Sequence, residues 1–379
     1  LFCIWLQAQR ILEGPERPRV LRDRRKVLRE RPWRRVLADL QVEMKRVKTA
    51  VDSLILEKLL PKSSPIPEVD LLYRMMRDYP SRPAKGMRPF LCVTACRAAG
   101  GDGEDALLTA ACIELFQHWI LIHDDIEDGS KLRRGGPALH LKYGEPLALN
   151  AGDALHARMW GVLSLNEKTL GPEKAVRIME EFSRMVNETT EGQHMELGWV
   201  AHRRWDLKGS DYYEMCTKKT SWYTVAGPCR LGAVVAGASK EVLEKLKEFG
   251  LRLGVAFQIQ DDTLNLVGDQ KNYGKEKSDD ILEGKRTLIL LHLLSSVGPD
   301  ERNKLVSIMN KDRAAKTPAD VSYVLSLVEK HDTIGYARKR ATELMKEAVD
   351  VLESISWNGD AEAAALLGLF ARFAVERKW

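Results

Sequence analysis

No stretch of this 379-residue chain approaches the eighteen or so consecutive apolar residues that a membrane-spanning helix needs. The closest, residues 224–238, is interrupted by Arg230 and reads as a buried helix of small residues. Strand-like alternation of apolar and polar residues is also missing, which leaves an all-α reading. The six cysteines (Cys3, Cys92, Cys96, Cys112, Cys216, Cys229) show no zinc-ligand spacing. Most sit in apolar helical patterns, where a free thiol behaves as a small hydrophobe, and this fits a reducing cytoplasm. The segment from Leu1 to Leu6 is too short for a secretory core, and the chain opens without Met, as a fragment or a misread start would.

An excess of basic over acidic charge is confined to one end. The net charge is +5, but the first 50 residues hold 14 Lys/Arg against 6 Asp/Glu, a net of +8 that leaves −3 for the rest. The run from Arg17 to Arg35 has the sign that attracts nucleic acid or an anionic membrane surface. It contains no binding motif, and Pro15, Pro18 and Pro32 interrupt any long helix. Residues 1–37 are therefore expected to be a solvated, disordered extension with no nucleic-acid partner. Residues 38–379 are expected to form one large all-α domain.

What is present is amphipathic helix, in a composition 44% hydrophobic and 30% charged. Leu37, Leu40, Met44, Val47, Val51 and Leu54 recur at steps of three and four. After a proline-rich break, a short helix over 69–76 precedes the loop 79–89. Further helices are expected over 89–99, 104–128, 145–168, 172–196, 211–236, 239–268, 285–296, 299–311, 318–330, 333–355 and 361–377. Gly and Pro mark the breaks.

Two of these helices end in carboxylates. Asp124 and Asp128 lie one turn apart on one face, with Asp125 beside them. Such a cluster is most often a solvated helix end. The design recurs, however, where an apolar helix runs into Asp261 and Asp262 with Asn265 on the next turn. Paired carboxylate ends that share a cavity suit a hard divalent cation such as Mg²⁺. Lys85 and Arg88 flank Gly86 ahead of a helix whose start is marked by Pro89, an arrangement that holds anions. Gln117, Gln193, Glu196, Lys219, Thr220 and Gln258 are polar residues in apolar helical patterns, where a core would not choose them.

Together these residues resemble the trans-isoprenyl diphosphate synthases of the polyprenyl synthetase family, over about residues 38–379. The family's DDxxD motif and arginine pair match Asp124 to Asp128 with Arg133 and Arg134. Its second motif, FQxxDDxxD/N, matches Phe257 to Asn265; Lys85, Arg88 and Pro89 match its Lys-x-x-Arg-Pro loop, and Lys219-Thr220 its Lys-Thr pair. The usual GGKRxRP loop is altered, because Pro83-Ala84 replaces the glycines and Gly86 an arginine. Asp280 and Lys285 also fit the pattern, while Lys275 and Lys277 compete for one substrate-facing place.

The resemblance implies condensation of isopentenyl diphosphate with an allylic diphosphate (dimethylallyl, geranyl or farnesyl). It implies Mg²⁺ at Asp124, Asp128 and Asp261, with Asp125 and Asp262 supporting the metal shells, Arg133 and Lys219 facing the leaving diphosphate, and Lys285 among the substrate-binding residues. Lys85, Arg88, Arg134 and Gln117 would hold isopentenyl diphosphate without metal. Thr220 and Gln258 would place oxygen dipoles near the developing carbocation. Trp119, with Leu115 and Phe116 a turn deeper, would limit product length. That pattern is similar to archaeal-type geranylgeranyl diphosphate synthases and favours twenty carbons over fifteen or twenty-five. The family is usually homodimeric. A terpene cyclase is disfavoured by the isopentenyl-site residues, and a non-catalytic partner subunit by the retention of both aspartate clusters.

Overall fold

Helices form where the apolar spacing predicts them. The computed structural model describes residues 33–268 and 278–377; Cys3, Lys275, Lys277 and nearly all of the basic run lie outside those residues. The helices of eight or more residues are α1 (Trp33–Leu54), α2 (Pro67–Asp78), α3 (Met87–Ala98), α4 (Leu107–Glu127), α5 (Glu145–Leu163), α6 (Pro172–Ala201), α7 (Gly209–Cys216), α8 (Gly227–Ala236), α9 (Lys240–Val267), α10 (Leu288–Ser296), α11 (Pro299–Met309), α12 (Pro318–Lys330), α13 (Thr333–Glu353) and α14 (Ala361–Glu376). Extended pairing among the described residues is confined to an antiparallel ladder of β1 (Leu132–Arg133) and β2 (Gly136–Pro137).

The boundaries have local causes. Pro occupies the first turn of α2, α6, α11 and α12, where its missing N–H costs nothing. Ser239, Thr287 and Asp360 cap α9, α10 and α14 by accepting from backbone N–H groups. Because Thr287 is that cap, α10 begins at Leu288 rather than at 285, and Lys285 stands in the loop before it. The helix expected over 211–236 begins at Gly209 and changes to π-helical winding over Thr217–Ala226. Periodicity does not register that change.

Leu40, Met44, Val47 and Val51 form the buried stripe of α1. α4 packs against α5, α8 against α3, and α9 against both α13 and the π-helical segment. In one respect the composition misleads: Glu104–Glu127 is long and apolar enough to cross a membrane, although no single run of its residues shows this. Of its most apolar window, 61% is buried inside the protein, as in a core helix. Arg230, which breaks the apolar run at 224–238, is buried and pairs with Glu181 of α6 at 2.7 Å.

Candidate active site

Two close packings place the π-helical segment that carries part of the charge. A Cβ on Gly192 of α6 would lie 2.1 Å from the Lys219 backbone nitrogen, and one on Gly254 of α9 would lie 2.3 Å from Ser221 Cα. Only glycine lets α6 and α9 grip the π-helical segment this tightly, and Lys219 and Thr220 project from it. The last turn of α4 supplies Asp124 and Asp128. The loop before α10 adds Lys285.

These groups alternate in sign. Lys285 Nζ lies 3.0 Å from Asp128 Oδ2 and 2.6 Å from Glu283 Oε2. Lys219 is ion-paired with buried Glu196 of α6. Burial opposes the charge on Lys219 and on Lys285, yet their acidic neighbours outweigh it and hold both ammonium groups above the ordinary range. Burial likewise works against the Glu196 carboxylate, and Lys219 and Lys285 overcome it. Gln193 Nε2 donates to Glu127 Oε2 at 2.6 Å, which ties α6 to the end of α4.

Arg133 on β1 lies 3.1 Å from Asp124 Oδ2 and donates through Nε to Asp125 Oδ1 at 2.8 Å. Asp125 is completely buried and accepts from Tyr79 Oη at 2.5 Å. Its carboxylate is therefore occupied in holding Arg133. Asp262 is similar. It accepts from Tyr212 Oη (2.6 Å) and Gln258 Nε2 (2.7 Å), while Gln258 Oε1 accepts from Thr220 Oγ1 at 2.7 Å. Burial pushes the Asp262 carboxyl up to about 7 against those donors. Asp261 is ion-paired with Arg377, whose guanidinium lies 4.3 Å over the Phe257 ring.

The two acidic ends flank Glu196, which feels Asp124 and is felt in turn by Asp262. They do not form one cage: among the described residues no three His, Cys, Asp or Glu side chains converge to hold a metal. A preformed cage is not what Mg²⁺ requires, because it takes one or two carboxylates and completes its shell with water and substrate phosphate. Asp124 and Asp128, one turn apart, fit that requirement.

The isopentenyl-type loop is built differently. Gly86, at φ +63°, precedes α3, which starts at Met87; Pro89 is its third residue, and Arg88 is already in the helix. Arg88 is buried, donates to Thr224 Oγ1 at 2.9 Å and lies 4.2 Å over the Tyr223 ring. Gln117, with its amide oxygen turned to Arg88 Nη1 at 2.8 Å, donates to Glu114 Oε1 at 2.9 Å. Burial raises the Glu114 carboxyl, with Arg134 and Arg88 opposing. Arg134, at φ +50°, donates to the Tyr79 carbonyl at 3.3 Å. Burial pushes Lys85 down to about 8, helped by Arg377 and resisted by Asp261.

Between α4 and α6 lies a cavity of 220 Å³ whose lining includes the polar Asp124, Glu127, Gln193 and Lys219 and the apolar or aromatic Trp119, Ile120, Leu121 and Tyr223. Leu115 and Phe116 are fully buried and do not line it; Phe116 packs edge-on against Trp119 at 5.5 Å. Sequence reasoning had no signal for Tyr79, Tyr212 or Arg377. Glu114 carried one, as an acid inside a strongly apolar helix.

Long helices around a cavity lined by both charged and apolar side chains give the architecture of an isoprenoid synthase fold. The polyprenyl synthetase family model matches residues 69–328. The chain is 34% identical over 294 residues to the geranylgeranyl diphosphate synthase of Saccharolobus solfataricus, covering 78% of this chain and 86% of that one. It is 32% identical over 296 residues to the geranylfarnesyl diphosphate synthase of Aeropyrum pernix, covering 77% and 90%. A geranylgeranyl pyrophosphate synthase from Corynebacterium glutamicum, solved with isoprenyl diphosphate and magnesium, superposes with a TM-score of 0.77 at 26% identity, covering 89% of this chain and 98% of that one. The chain belongs to the polyprenyl synthetase family and is a trans-prenyltransferase of the geranylgeranyl and geranylfarnesyl diphosphate synthase type.

Proposed function

We propose that this enzyme condenses isopentenyl diphosphate with dimethylallyl, geranyl or farnesyl diphosphate to give geranylgeranyl diphosphate, using Mg²⁺. The observation that carries the reading is a cavity lined both by Asp124 and Lys219 and by Trp119, Leu121 and Tyr223. A diphosphate joined to a prenyl tail has the same two kinds of surface.

Asp124 and Asp128 are the residues that would hold Mg²⁺ with the allylic diphosphate, and Asp261 would join them from α9. When bound, the metal supplies positive charge to the departing diphosphate. Lys219, Lys285 and Arg133 already stand among those carboxylates, and their ammonium and guanidinium groups bind the same anion. Asp125 and Asp262 act one step back. Asp125 fixes Arg133, and Asp262 fixes Gln258 so that the Gln258 and Thr220 oxygens face the allylic carbon as its bond to oxygen breaks.

Isopentenyl diphosphate must bind without being ionised, which calls for cations on the protein itself. Lys85, Arg88 and Arg134 fill that role, and Gln117 orients Arg88. The isopentenyl double bond attacks the allylic carbon, and the diphosphate just released takes the proton lost afterwards. Trp119 bounds the tail. A twenty-carbon product accords with the Saccharolobus relative, and the Aeropyrum relative, almost as similar, makes twenty-five carbons the second reading.

Incubating purified protein with isopentenyl diphosphate, each allylic starter and Mg²⁺, then measuring chain length, tests this reading; no prenyl product from any starter refutes it. A homodimer is proposed as well. Val176 and Met179, 55% and 39% exposed, stand three residues apart on α6 as an apolar surface for a second copy, and light scattering decides. The working domain is proposed to need nothing before α1, so a chain starting at residue 33 should retain activity.

A further inference from the structure

Position 86 cannot add a side chain to the basic loop. Its φ of +63° disfavours any residue with a Cβ, and a Cβ there would lie 2.6 Å from Lys48 Cβ and 2.9 Å from Lys48 Cγ. The space beside the loop is filled instead by the stem of a lysine from α1.

α1 is held firmly at this place. Val47 and Val51 are fully buried, the helix packs against α3 and α4, and Glu43 Oε1 accepts from Arg97 Nη1 of α3 at 2.7 Å. Lys48 itself is only partly covered. Its ammonium pairs with Asp52 one turn on, and the two side chains are 19% and 27% exposed, which leaves them within reach of an anion. On a bare helix surface this would be an ordinary pair four residues apart. Here it stands beside other charges. At the buried Glu114 of α4, Arg134, Arg88 and Lys48 all favour the carboxylate, while burial and Asp52 oppose it. His118, one turn further on, is held well below its ordinary range by burial and by the same three cations. Thus α1, α3 and the turn between β1 and β2 bring three cations to one place. Burial raises the Glu114 carboxyl, so positive charge remains there that Asp52 balances only in part.

We infer that Lys48 is a binding residue for the diphosphate of isopentenyl diphosphate, joining Arg88 and Arg134 on that anion, and that Asp52 holds its ammonium until the substrate takes it.

The diphosphate offers more charge and more acceptor oxygens than one carboxylate, so it competes successfully for the ammonium. Asp52 is exposed enough for water to solvate it once Lys48 has turned away. The position of Lys48 against Gly86 directs that turn toward the loop that carries Lys85 and Arg88.

The inference rests on the proposed condensation, and its test separates the two. Wild type, Lys48→Met, Lys48→Arg and Asp52→Asn are assayed with farnesyl diphosphate and Mg²⁺, and a KM is measured for each substrate in turn. Lys48→Met keeps the stem against Gly86 and loses the charge; it should raise the KM for isopentenyl diphosphate about tenfold and leave the allylic KM unchanged. Lys48→Arg keeps the charge and should stay within about threefold of wild type. Asp52→Asn releases the ammonium and should lower the same KM about threefold, on the scale of an exposed ion pair. Opposite signs are the signature, because loss of a merely structural pair has the same effect from either side. A wild-type KM in Lys48→Met, or an equal rise in Lys48→Met and Asp52→Asn, overturns the inference. If Lys48→Met does not fold, Asp52→Asn decides: a lowered KM supports the inference, and an unchanged or raised one overturns it. Absence of any condensation by the wild-type enzyme removes the proposed function, whereas normal condensation with a wild-type KM in Lys48→Met removes this inference alone.

Discussion

The two regions proposed to bind diphosphate neutralise their charges in opposite ways. Around Asp124 and Asp128 every cation has an acidic partner: Lys285 with Asp128 and Glu283, Lys219 with Glu196, Arg133 with Asp124 and Asp125. Around Arg88 the partners are mostly uncharged, namely the Thr224 hydroxyl, the Tyr223 ring and the Gln117 amide. A region of paired charges can take up a metal and a diphosphate together with little change in net charge. A region of cations satisfied by neutral groups keeps its positive potential for a metal-free anion. The contrast provides a physical reason why one diphosphate would be ionised and the other left intact.

The largest effect should come from the first region. Asp124→Ala or Asp261→Ala should lower kcat by about 10²–10³-fold with an unchanged circular dichroism spectrum, on the scale of losing charge stabilisation of a leaving group. Near-normal turnover in either would erase the distinction between the regions. Glu196→Gln should come next. It leaves Lys219 buried without its counter-charge, and should cost about 3 kcal/mol of folding stability in chemical denaturation. An unchanged denaturation midpoint would mean that Asp124 and Asp128 suffice to neutralise Lys219.

In the second region, Arg88→Met should raise the KM for isopentenyl diphosphate by about 10- to 100-fold, the range of one charged hydrogen bond, and leave the allylic KM within a few-fold. Equal rises in both constants would merge the two regions. The smallest effect is pH-dependent. Lys85 stands at about 8 because burial disfavours its charge, so the cation is present below that pH and is lost above it. The KM for isopentenyl diphosphate should therefore climb up to about tenfold between pH 7 and 9 in the wild type. Lys85→Arg, always charged, should flatten that climb.

Local pattern carried much of this. The apolar period located most of the helices, and Asp124, Asp128 and Lys219 appeared as charges where a core would not place them. Local pattern did not show what surrounds each carboxylate. Asp124 and Asp125 are adjacent in the chain, yet one borders the cavity and the other is completely buried against Arg133 and Tyr79. Neighbouring residues on a helix point about 100° apart, and what each meets there depends on elements far away in sequence. Tyr79 comes from 46 residues before Asp125, and Arg377 from 116 residues after Asp261. Neither distance leaves a trace in the chain.

By itself, then, the sequence determined the all-α architecture, the two acidic helix ends and the basic loop, because each follows from spacing within one or two turns. Tertiary structure decided which aspartates border the cavity, how π-helical winding between Gly192 and Gly254 presents Lys219 and Thr220, and that Trp119 rests on a histidine 37 residues later. Those features depend on helices touching across the core. Contact of that kind is fixed by the packing of the whole chain, which no local period records.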